Sequence, residues 1–267
     1  MAVSWALKLE RAEKHLKDIE DMLAVIGAPG PYTGSVRVEE QPGDFPVAHI
    51  LDIAGPEDPM LPVVIGDCLF NMRSALDHVA VASVPADRRF EAQYPIFERD
   101  PFQTTGSGKR KRLARPRDHK SWVRYTTGMS PDVVAFVKFT QPYNNARAGT
   151  SPNDHALAVL GKFQNADKHR SLNVVSHGLC DVTVIADDGK TTGSEKIDGP
   201  FERSMLNNGT KIASSKPEVK VEIMGSLVVA LACPPEERHR EIPGALREIY
   251  RVVKIIVEKV AELGNLA

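Results

Sequence analysis

The stretch EVKVEIMGSLVVALACP, residues 218–234, decides the fold class. Its β-branched and apolar residues, bounded by Pro217 and Pro234, have strand character, and Gly225 reads as the break between two strands, EVKVEIM and SLVVALACP. Upstream, SLNVVSHG (171–178) and DVTVIADDG (181–189) have the same character, with Asp188-Gly189 as a tight turn. Near the start, SVRVEE (35–40) and FPVAHILDI (45–53) read as a further antiparallel pair.

Helices surround these strands. Leu9, Leu16, Ile19 and Leu23 repeat at helical spacing until Gly27 and the Pro29/Pro31 pair stop them. Pro59 and Pro62 introduce a central helix over 61–84, and Pro131 begins a short one that stops before Gln141-Pro142. Ser151, Pro152 and Asn153 announce another, running to His169. The last, 241–263, repeats Ile242, Leu246, Ile249, Val253, Ile256 and Val260. The expected fold is α+β: a helical bundle core of long N-terminal, central and C-terminal helices, with an antiparallel sheet from residues 33–54 and 171–232. With no clean linker or internal repeat, 1–267 reads as a single domain carrying an irregular basic insertion at 85–128.

At 267 residues and 42% hydrophobic content the chain can bury a sizeable core. Cys68, Cys180 and Cys233 lack ligand or disulfide spacing and read as reduced, buried thiols, so no metal is expected, and with no Gly-rich phosphate loop of the P-loop or dinucleotide type no cofactor is expected. The opening MAVSWALKLERAEKHLKDIE lacks the pattern of a secretory signal, and no apolar run has the length of a membrane span. A cytoplasmic protein is the expectation. With 34 basic against 35 acidic residues, whole-molecule charge declares no nucleic-acid partner.

The central helix carries an unusual polar pattern. Asp67, Asn71, Ser74 and His78 share one stripe at about 100° per residue, while Arg73 and Asp77, four apart, can pair across one turn. A plain wet face explains such stripes, yet no Lys or Glu stands between Leu61 and Val84. The second polar cluster, NADKHR, brings Asn165, Asp167, Lys168, His169 and Arg170 to the end of a helix, where the three cations suit the negative end of the dipole. If the two motifs face each other, Asp67, Arg73 or Asp77 can pair with Lys168 or Arg170.

GDCLFNMRSALDHVA (66–80), QPY (141–143) and NADKHRSLNVV (165–175) resemble an uncharacterised bacterial family with a GD-x-LHNLRSALDH motif followed by N-x-DKHR. The likeness spans roughly residues 1–180. Phe70 stands where that pattern has His, so the role of that His is absent. More loosely, Arg73-Ser74-Ala75-Leu76-Asp77-His78 resembles the motif of the HEPN superfamily, many of whose members are metal-independent endoribonucleases. That resemblance implies Arg73 and His78 as catalytic groups, RNA as a partner and a homodimer. Asn71, Asp77, Lys168 and His169 would support them. A histidine titrating near neutrality can move the ribose 2′-hydroxyl proton, and a guanidinium can hold phosphate oxygens.

Between Lys109 and Arg124, a run of cations (Lys109, Arg110, Lys111, Arg112, Arg115, Arg117, Lys120) meets the single acid Asp118, with Trp122 and Tyr125 close by. It reads either as a solvated loop or as a patch that follows a phosphate backbone while a ring stacks on a base. Three functions stand after the sequence: a HEPN-like nucleic-acid-acting protein, a non-enzymatic binding or scaffold protein with a buried polar network or dimer interface, and a small-molecule pocket where the motifs meet.

Overall fold

The computed structural model describes residues 3–27, 30–39, 47–52, 58–106, 112–169, 174–189, 191–197, 206–207, 210–216, 219–233 and 238–266. Lys109, Arg110, Lys111 and Arg170 lie outside these residues, as do the side chains of Asp167, Lys168 and His169. The architecture is α+β, with helices and antiparallel strands.

Contacts divide the chain into two compact units, Met1–Lys17, Val64–Ser171 and Leu246–Ala267 forming the first and Asp18–Val63 with Leu172–Ala245 the second. Three of the four changes of unit fall inside helices: α1 (Ser4–Val25), α2 (Leu61–Ala82) and α7 (Ile242–Leu263). A crossing inside a continuous helix leaves no loop between the units, so the sequence shows no separate linker there.

The second unit is built on one eight-stranded sheet. Its strands are β1 (Gly30–Glu39), β2 (Val47–Asp52), β5 (Val174–Asp187), β6 (Thr192–Ile197), β7 (Leu206–Asn207), β8 (Lys211–Ser215), β9 (Lys220–Cys233) and β10 (Arg238–Glu241). The order is β6-β5-β9-β1-β2-β8, with β7 beside β5 and β10 beside β9. β1 changes partner midway: Gly30–Gly34 pairs with β9 and Ser35–Glu39 with β2.

Two expected strand breaks are absent. β9 runs continuously through Gly225, and β5 runs continuously from 174 to 187. Ser226 faces Cys180 and Met224 faces Thr183, so Asp181 and Val182 both lie opposite Gly225. That is a β-bulge, with Asp181 in the left-handed region at φ 52°. A Cβ on Gly225 would come within 3.0 Å of the Cys180 carbonyl oxygen, so the glycine makes room for the bulge and does not turn the chain.

The first unit is mainly helical. Ile65, Leu69, Met72, Leu76 and Val79 of α2 and Leu246, Ile249, Val253, Ile256 and Val260 of α7 are buried, as are Leu9 and Ala12 of α1. Each of the Leu, Ile, Val and Met side chains contributes about 1.5–3 kcal/mol by leaving water. Cys68, buried beside α1, donates to the Ala12 carbonyl at 3.5 Å, and burial pushes its thiol up to about 12. The unit also holds α4 (Pro131–Phe139), α5 (Asn144–Arg147) and α6 (Ala156–His169). Among the described residues no helix is long and apolar enough to cross a membrane.

The segment 85–128 is more regular than expected. It contains a short hairpin, β3 (Thr104–Thr105) with β4 (Arg112–Leu113), and an eleven-residue helix, α3 (Pro116–Thr126). Pro116 sits in the first turn of α3, and Trp122 is buried against Phe97 and Phe102, at ring-centroid distances of 6.3 and 5.3 Å. Apolar anchoring thus folds a stretch whose charge suggested a loop. Gly128, at φ +97°, ends this segment where a Cβ would meet the Pro85 ring at 2.9 Å.

Candidate functional site

Arg73 and Asp77 of α2 form a two-bond ion pair one turn apart. Arg73 Nε donates to Asp77 Oδ2 at 3.1 Å and Nη2 to Oδ1 at 2.8 Å. The same groups clamp a distant backbone: Arg73 Nη2 donates to the Tyr94 carbonyl at 2.8 Å, and the Tyr94 amide donates to Asp77 Oδ1 at 3.0 Å. Tyr94 itself is fully buried, its hydroxyl bonded to Thr140, and burial pushes its phenol well above the usual range.

A second side chain secures the next residues. Gln141, the first residue of QPY and 0% exposed, donates from Nε2 to the Pro95 and Val137 carbonyls, both at 2.9 Å, and accepts the Phe97 amide at 3.0 Å. The Tyr143 amide then donates to the Phe97 carbonyl at 3.2 Å. Residues 93–98, part of no helix or strand, therefore form a strap held mainly by side chains and not by a sheet ladder.

This strap walls a cleft of about 510 Å³. Gln93, Ile96, Phe97 and Glu98 line it from the strap, and Phe70, Arg73, Ser74 and Asp77 from α2. Ser121 and Tyr125 come from α3, and Ala158, Gly161, Lys162, Gln164 and Asn165 from α6. The α6 residues at 158, 161, 162 and 165 share one helical face. Lys162 is half-buried and has no ion-pair partner among the described residues, as no pairing of it occurs there.

The motifs singled out in the sequence meet here only in part. Arg73, Ser74 and Asp77 share the cleft with Asn165 of NADKHR. The remainder of the α2 stripe points elsewhere: Asn71 is buried, donates to the Asp67 carbonyl at 2.8 Å and accepts Lys8 Nζ at 3.3 Å, while Asp67 is exposed. His78 is not among the cleft-lining residues, and its Nδ1 is buried with no hydrogen-bond partner among the described residues. Five positions on a helix turn a side chain about 140°, which separates His78 from Arg73. Arg73 finds its carboxylate on its own helix, in Asp77.

Of the basic run, Arg112 and Arg117 are exposed, and Arg115, at the start of α3, has its Nε buried with no hydrogen-bond partner among the described residues. Arg124 lies over the Tyr125 ring at 4.8 Å and donates to its hydroxyl at 3.0 Å. Sequence reasoning missed Gly161, Lys162, Gln164, Gln93 and Glu98. The one signal that could have found them is Gly161, an interior glycine in an otherwise good helix. No protein-family model, curated protein or solved structure shows a significant match to the chain.

Proposed function

We propose that the chain is a ligand-binding protein and that the cleft between α2, α3, α6 and the 93–98 strap holds one small polar molecule. Gly161 carries this reading. A glycine inside a helix costs about 1 kcal/mol relative to alanine. Its backbone here is not in the left-handed region, and a Cβ would meet nothing within 4 Å. Neither conformation nor packing requires glycine, while the space left open belongs to the cleft. The strap adds to the case: side chains that fix a cleft wall before any ligand arrives lower the entropy lost on binding.

The volume of about 510 Å³ lies within the range of pockets for small organic ligands. Metal-independent RNA cleavage is the weaker reading, because Arg73 and His78 would both have to address one phosphate. In a single copy Arg73 is held by Asp77 and Tyr94, and His78 does not line the cleft. That chemistry would draw its two groups from different copies of a dimer.

Screening small-molecule mixtures by protein-observed NMR against the wild type and Gly161→Leu tests the proposal. A compound that shifts α6 resonances of the wild type and leaves Gly161→Leu unaffected is the expected result. Equal responses from both proteins, or cleavage of labelled RNA in EDTA that depends on His78, would overturn it.

A further inference from the structure

Three aromatic rings from different segments face the cleft, and the chain fixes two of them. Phe97 packs on Trp122 at 6.3 Å, and Tyr125 is held by Arg124 at its hydroxyl and over its ring. The third, Phe70, is 49% exposed at the cleft, with Lys8 Nζ 5.3 Å from its centroid. Fixed, accessible rings are what a planar ligand stacks on. Between them, Gln93, Gln164 and Asn165 offer amides, each with donors and acceptors, which suit the mixed edge of a nitrogen heterocycle.

Charge supplies a second, independent feature. Arg117, Lys120 and Arg124 of α3 are all exposed at spacings of three and four, one stripe along the helix. Lys120 and Arg124 immediately precede Ser121 and Tyr125, which line the cleft, so the cationic stripe borders it. Only one acid, Asp118, lies on α3. Inside, Lys162 adds a half-buried cation, and Glu98 is an exposed acceptor of the kind a sugar hydroxyl takes. A monocarboxylate or an uncharged ring would leave most of these cations unused, whereas a phosphate uses several.

Resting on the cleft as a ligand pocket, we propose that its ligand is a free nucleoside phosphate. The ring lies among Phe70, Phe97 and Tyr125, and the phosphate meets Lys162 and the cationic stripe of α3.

Isothermal titration of the intact chain with the four ribonucleoside 5′-monophosphates, their nucleosides and an eight-residue oligouridylate tests this. At least one monophosphate should bind about tenfold or more tightly than its nucleoside, the advantage expected of charge-assisted hydrogen bonds. Lys162→Ala should erase that advantage with little effect on the nucleoside, and Gly161→Leu should abolish both. Equal affinity for nucleotide and nucleoside would overturn the proposal. So would an oligouridylate binding about a hundredfold more tightly than uridine monophosphate, which would assign the site to a strand. If no nucleotide binds but another small molecule is blocked by Gly161→Leu, the nucleotide assignment falls and the pocket stands; if no small molecule distinguishes the two proteins, both fall.

Discussion

Arg73 and Asp77 illustrate how one pair of side chains can be readable in sequence while its purpose is not. The four-residue spacing announces the pair. Its third partner, the backbone of Tyr94, lies in a segment with neither helical nor strand periodicity, and no spacing rule reaches it. The Arg73 and Asp77 side chains are only 14% and 33% exposed and satisfy both backbone polar groups of Tyr94. Asp77→Ala should therefore cost about 2–3 kcal/mol, since it takes the carboxylate from a partly buried guanidinium that keeps only the Tyr94 carbonyl and leaves the Tyr94 amide without its acceptor. Breaking the Arg88–Glu91 pair, 48% and 31% exposed, should cost less than about 1 kcal/mol. Denaturant midpoints of the two variants check this, and equal losses would remove the clamp from the account. Gln141→Leu should also lose about 2–3 kcal/mol, because a similar volume returns while the Pro95 carbonyl and the Phe97 amide lose their partner, Val137 keeping its bond from Thr140.

α6 owes its start to His155, a residue that no sequence pattern singles out. Pro152–Asp154 forms a 3-10 turn capped by Ser151, and the α-helix begins only at Ala156, where His155 Nδ1 accepts the Leu157 amide at 3.2 Å. Burial lowers the His155 pKa from 6.5, with Glu248 opposing. The unfolded chain therefore takes up a proton more readily than the folded one. The contribution to stability is complete above about pH 6.5 and is lost as pH falls through the lower folded value. Protonation also removes the Nδ1 acceptor and sets a cation at the positive end of the helix. His49, lowered by burial, acts in the same direction. Urea unfolding at pH 7 and at pH 5 should show a loss at the lower pH that shrinks in His155→Asn, which keeps a capping oxygen and does not titrate. An unchanged pH dependence in that variant would contradict the assignment. The strand and helix types were legible from periodicity, but Gly225 was not, because a glycine facing a bulge on the next strand looks in one dimension like a turn.

The chain as a whole builds two units from interleaved segments, and α7 closes the first of them. A chain ending at Glu241 would strip Leu246, Ile249, Val253, Ile256 and Val260 from that core, and circular dichroism should show loss of cooperative helix unfolding. The α+β class was readable because 3.6-residue and two-residue periods are local properties. The candidate site was readable only where its residues lay in polar stripes, and Gly161 had to be seen against empty space to mean anything. The central claim, that Gly161 keeps a ligand cleft open, is most directly tested by thermal unfolding of wild type and Gly161→Leu, each with and without a small molecule that binds the wild type. Gly161→Leu should unfold at a temperature equal to or a few degrees above the wild type and show no ligand-induced rise. A lower unfolding temperature with a full ligand-induced rise would contradict it.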